Sequence, residues 1–128
     1  MPVSRSFDAL RVLVIDDNLD QVHTLAFLLK DMGHQTEFAV NGNSALEAAR
    51  RFRPNVVLLD LGLPDMDGSE LCRRLRAEPG LEQVRIVVIT GSTHSDAHRR
   101  VVDAGCEELL VKPVDPAFLE SLLGTRYV

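Results

Sequence analysis

The chain lacks the features that would tie it to a membrane, an oxidising compartment or a nucleic acid. No apolar run approaches the ~18 residues that a membrane-spanning helix needs, and Met1-Pro2-Val3-Ser4-Arg5-Ser6 is short and polar, with no apolar signal region. Both observations point to a cytoplasmic location with no direct membrane contact. Cysteine is scarce: Cys72 and Cys106 stand alone, without metal-ligand spacing, and read as buried thiols rather than a disulfide. Positive charge is in deficit, with 14 Lys and Arg against 19 Asp and Glu, which disfavours a nucleic-acid backbone as a direct partner. Internal repeats and low-complexity stretches are missing too.

What remains is an ordinary globular composition, 45% apolar and 26% charged, over a length that suits one domain, residues 1–128. Strand-like and helix-like segments alternate five times. The spacing predicts strands over about 11–15, 35–39, 56–60, 85–90 and 108–112, and helices over about 18–32, 43–52, 68–78, 95–104 and 115–123. Gly33 and Gly105 close the first and fourth helices, and Pro54 stops the second. Asp67 and Glu70 read as a capping box for the third, and Asp115 followed by Pro116 as the start of the fifth. Five such units with short connections imply an α/β fold, a doubly wound parallel sheet with helices on both faces.

Carboxylates stand where two of these strands end. Asp16 and Asp17 follow Val12-Leu13-Val14-Ile15, and Asp60 follows Val56-Val57-Leu58-Leu59. Parallel strands gather their C-terminal ends at one edge, where ligand sites form. Three carboxylates brought together there repel strongly, and a divalent cation is the simplest way to keep them ionised. Thr90 ends the fourth apolar run and Lys112 the fifth. A hydroxyl, an ammonium and a cation site together suit a phosphoryl group.

The segments Val14-Ile15-Asp16-Asp17-Asn18, Asp60-Leu61-Gly62-Leu63-Pro64-Asp65-Met66-Asp67-Gly68, Val88-Ile89-Thr90-Gly91 and Val111-Lys112-Pro113 fall in one order at compatible spacings. Over about residues 9–124 the chain resembles a response-regulator receiver domain of two-component signalling, a CheY-like module. The resemblance implies a flavodoxin-like sheet of strand order 2-1-3-4-5 with five flanking helices. It implies that Asp60 accepts a phosphoryl group from a phosphohistidine of a histidine kinase or phosphotransfer protein. It implies Mg²⁺ held by Asp17, Asp60 and the Gly62 carbonyl, with Asp16 acting mostly through water. Thr90 and Lys112 would bind the phosphoryl group, Lys112-Pro113 would be a cis peptide bond, and Phe27, His23 and Pro113 are candidates for kinase docking. Such a module signals or relays and is not an enzyme in the usual sense.

Three positions depart from or inflect that pattern. Leu109 stands where the family usually has Tyr or Phe, so the aromatic half of its switch is missing. Gly62 and Ser92, two residues after Asp60 and Thr90, offer no amide or carboxylate to the water that hydrolyses an acyl phosphate. His94 and His98 have ligand-like i, i+4 spacing, but with no third ligand nearby they read as a solvated face. Neither they nor His23 and His34 resemble a phosphohistidine motif. No output segment is expected after residue 124, which leaves open a stand-alone regulator, a phosphate sink or the receiver of a hybrid kinase; the sequence does not indicate the oligomeric state. The alternative reading is a phosphohydrolase of the haloacid-dehalogenase type. It would want an Asp-x-Asp pair and a cap domain, whereas Asp60 precedes Leu61-Gly62 and there is no room for a cap. A flavodoxin-like cofactor binder would need a Ser/Thr-rich phosphate loop where Asp16-Asp17-Asn18 stands.

Overall fold

Runs of Val, Leu and Ile four or five residues long have the length and branching of strands buried on both faces. They form the centre of the fold in the computed structural model, which describes residues 5–6, 9–91, 96–106, 108–123 and 126–127. Strands β1 (Arg11–Ile15), β2 (Gln35–Ala39), β3 (Val56–Asp60), β4 (Arg85–Thr90) and β5 (Glu108–Val111) alternate with helices α1 (Leu19–Asp31), α2 (Gly42–Phe52), α3 (Gly68–Ala77), α4 (Asp96–Asp103) and α5 (Pro116–Leu123). All neighbouring strands are parallel, in the order β2-β1-β3-β4-β5. The predicted doubly wound sheet is therefore present, with β1 and β3 adjacent at its switch point.

Alternation along each strand divides the core in two. Leu13, Ile15, Val57, Leu59, Ile86 and Val88 point to one face, under α2, α3 and α4. Val12, Val14, Val56, Leu58, Val87, Ile89 and Leu110 point to the other, against Val22, Leu25 and Leu29 of α1 and Leu119 and Leu123 of α5. Each fully buried Leu or Val side chain contributes roughly 1.5–3 kcal/mol relative to exposure. Met32, three residues after Leu29, is half-buried against the second layer.

Helix ends follow local chemistry, with some corrections to the sequence reading. Asn18 caps α1 by accepting from the Asp20 and Gln21 amides, and Gly33 follows with φ +94°. The predicted capping box at α3 is half present. Asp67 accepts from the Ser69 amide and hydroxyl, but Glu70 pairs with Arg73 and Arg74 on its own helix instead of reaching back. A reciprocal box forms at α2, between Asn41 and Ser44, where none was expected. Helix α3 ends at Ala77 because Glu78 precedes Pro79, whose ring disfavours helical backbone before it; Glu78 is extended. Strand β5 ends at Val111, one residue earlier than predicted, and the Lys112-Pro113 bond that follows is cis, as the resemblance implied.

Two two-residue strands near the chain ends, Arg5–Ser6 and Arg126–Tyr127, pair antiparallel. Two residues carry no periodicity, so the sequence held no signal for them. Of the residues singled out above, Ser92 and His94 and the side chain of His98 lie outside what is described. No helix among the described residues is long and apolar enough to cross a membrane.

Candidate functional site

The switch-point strands deliver their carboxylates to one place. Asp16 and Asp60 are buried and Asp17 is exposed, and one oxygen from each lies within 4.8 Å of the others. Asp60, the last residue of β3, has the alternation parity of Leu58, whose face packs against α1 and α5, and Lys112, just past β5, lines the groove beside α1. They meet there: Lys112 Nζ lies 3.0 Å from Asp60 Oδ1. The Lys112 amide still donates to the Thr90 carbonyl at 2.9 Å, which holds the lysine beside the end of β4 after β5 has stopped.

Thr90 is buried and ends β4 one residue beyond Ile89, the register partner of Asp60. It has the parity of Val88, which directs it toward the α2–α4 layer. Leu109 shares that side and packs, half-buried, against the same layer. Gly62 lies close below the carboxylates; a methyl group on it would sit 3.5 Å from Asp60 Oδ2.

Electrostatics match the chemistry of a cation site. Burial pushes the Asp16 carboxyl above its ordinary range. The Asn18 amide, donating to Oδ1 at 2.9 Å, opposes this, while Asp60 adds to the rise and Lys112 counters it. A desolvated carboxylate beside two more has one nearby ammonium to offset it, and an all-oxygen donor set of this kind fits a hard divalent cation. Asp65 and Asp67 do other work: Asp65 accepts from the Gly42 and Asn43 amides at the start of α2, and Asp67 caps α3 and pairs with Arg100 of α4.

Beside the carboxylates lies a groove of about 550 Å³ between α1 and the β5–α5 connection, lined among others by Asp20, Thr24, Leu28, Lys112, Pro113 and Val114. Pro113 lines this groove next to Lys112. Phe27 and His23 are exposed but line a different face of α1, and the His23 ring stands edge-on to Phe38 of β2. Thr24 and Leu28 were missed, because a helical wheel shows which residues avoid the core and not which neighbouring loop they meet.

Comparison with known proteins agrees with this geometry. The family model described as the response regulator receiver domain matches residues 12–123. The DNA-binding response regulator MtrA of Mycobacterium tuberculosis is 36% identical over 116 residues, 91% of this chain and 50% of its own length. The chain thus spans about half the length of the curated relatives it matches first. The chemotaxis response regulator CheY4 of Vibrio cholerae superposes with a TM-score of 0.83 at 28% identity, covering 91% of this chain and 97% of its own. The receiver domain of sensor histidine kinase PA1611 from Pseudomonas aeruginosa, whose structure has magnesium coordinated in the active-site cleft, gives 0.83 at 26% identity, with 91% and 95% covered. The chain belongs to the response-regulator receiver family, a signalling module of two-component systems.

Proposed function

We propose that Asp60 is the phosphoacceptor of this receiver and that Asp16, Asp17, Asp60 and the Gly62 carbonyl hold Mg²⁺ for the transfer. The observation that carries the reading is the three-carboxylate cluster with Lys112 Nζ on Asp60, at the C-terminal ends of the two switch-point strands. An Asp60 carboxylate oxygen attacks phosphorus, the P–N bond to the donor histidine breaks, and the imidazole leaves and takes up a proton. When bound, the ion offsets charge on the carboxylates and the transferring group. Lys112 moves from the carboxylate to a phosphoryl oxygen, and the Thr90 hydroxyl donates to another. The protein accelerates only its own phosphorylation and dephosphorylation.

The donor is a histidine kinase or phosphotransfer protein, docking its phosphohistidine over the groove that ends at Lys112 and Pro113. Mycobacterial MtrA and PA1611 represent two settings for such a domain, a DNA-binding regulator and a sensor kinase. Leu109 favours relay or sink behaviour over a strong switch, since leucine has neither the ring nor the hydroxyl that an aromatic residue would move inward.

Metal dependence tests the site. Phosphoryl transfer from a phosphohistidine donor should stop in excess chelator and return with Mg²⁺. Asp17→Ala should weaken Mg²⁺ binding more than Asp16→Ala, because Asp17 would hold the ion directly and Asp16 mostly through water. Transfer that runs unchanged in chelator would rule the mechanism out.

A further inference from the structure

The two cysteines, 34 positions apart in sequence, meet in the core on the side of the sheet away from α1. Cys72 lies on the inner face of α3, and Cys106 follows α4 just before β5; both are buried. Their sulfurs are in direct contact, 2.7 Å apart. Arg76, one turn beyond Cys72, donates to the Gly105 and Val84 carbonyls at 3.3 Å and lies beside Cys106. The pair is therefore asymmetric. The contact with Cys72 draws the Cys106 thiol below its ordinary value, burial opposes, and the Arg76 guanidinium helps; the same contact, together with burial, pushes Cys72 up. The Arg76 guanidinium beside Cys106 is an electropositive neighbour of the kind that favours a thiolate, while burial of both sulfurs works against it. Gly105, next to Cys106 in the turn after α4, is exposed and has φ +95°.

We propose that Cys72 and Cys106 are an oxidisable pair in which a small hydroperoxide forms an intramolecular disulfide that fastens α3 to the turn after α4. The Cys106 thiolate attacks the distal peroxide oxygen; the O–O bond breaks, leaving a sulfenic acid and, after protonation, water or an alcohol. The Cys72 sulfur attacks that sulfenic sulfur; the S–O bond breaks, hydroxide leaves with the Cys72 proton as water, and the S–S bond forms. The peroxide is reduced by two electrons and the thiols are oxidised by two. The sulfurs need to close to about 2.0 Å for this, a small movement at the end of a short helix. The staple matters because α3 begins at Gly68, packed against Leu61 beside the phosphoacceptor loop, while α4 carries Arg100, paired with Asp67 of that loop, and Val101 in the core. Oxidation would tie the middle of α3 to the turn after α4.

Thiol mapping on the full chain tests this. Reduced protein, freed of reductant, is treated with a few equivalents of hydrogen peroxide, denatured in an alkylating agent and weighed intact. Both alkylation sites should be lost together, a Cys72–Cys106 linked peptide should appear, and dithiothreitol should restore both thiols. Arg76→Gln should slow the reaction several-fold and move its pH profile upward, with the circular dichroism spectrum unchanged. In Cys72→Ala the sulfenic acid on Cys106 should persist and be trapped by dimedone; if that variant does not fold, the wild-type map decides. Amide exchange over α4 should be slower in the oxidised form. Full alkylation of both cysteines after peroxide, or products that are only sulfinic acids or intermolecular dimers, would overturn the proposal and leave an ordinary packed pair of thiols.

Discussion

At the scale of single residues, burial decides what a side chain does. His34 is buried where α1 turns back toward β2, and its Nδ1 accepts the Leu10 amide at 3.0 Å. Burial holds the imidazole below its ordinary value of 6.5. The unfolded chain therefore takes up a proton that the folded chain resists. The stabilisation from neutral His34 is complete above the unfolded value and is lost as pH falls below it toward the folded one. Tm should fall between about pH 7 and pH 5, and His34→Gln, which keeps an acceptor but cannot titrate, should flatten that slope. Equal slopes in both proteins would place the acid sensitivity elsewhere. The sequence showed His34 only as one of four histidines without a phosphohistidine motif, because burial and an amide partner 24 positions away carry no local signature.

Elements were legible where the signal was periodic and obscure where it was relational. The apolar runs of β1, β3 and β4 and the stripe of α1 announce themselves by spacing, and their ends agree with the structure to within a residue. Glu70 was misread because its position three after Asp67 suits a capping box equally well as a pair with Arg74. The cap that exists rests on Asp67 alone. Asp67→Ala should cost about 1–2 kcal/mol in urea denaturation, most of it from the cap and little from the exposed Arg100 pair. Asp67→Asn should recover most of the loss; no recovery would shift the weight to the ion pair. On α1, the groove face is the discriminating one. Thr24→Arg should slow transfer from a kinase or phosphotransfer protein roughly tenfold while leaving a small acyl phosphate unaffected. Phe27→Ala, compared in the same way, separates the groove from the His23 and Phe38 face. Equal loss with both donors would mean damage to the fold or the site.

For the molecule as a whole, topology connects a readable sequence to a site spread across it. Asp16, Asp60, Thr90 and Lys112 were legible because each terminates an apolar run, and a parallel sheet turns that shared position into proximity. What stayed hidden depends on which surfaces meet: the Cys72–Cys106 contact between α3 and the turn after α4, the Thr24 and Leu28 wall of the groove, and the short ribbon joining the chain ends. The same topology sets the central claim. Three carboxylates, two of them buried, and one ammonium converge at a sheet edge, and the proposed phosphoacceptor role of Asp60 rests on that convergence. Incubation with a small acyl phosphate and Mg²⁺, followed by intact mass and peptide mapping, examines this most directly. One phosphoryl group on Asp60 is predicted, removed by hydroxylamine and missing from Asp60→Asn. Full phosphorylation of Asp60→Asn, or a label mapped to any other residue, would contradict the account.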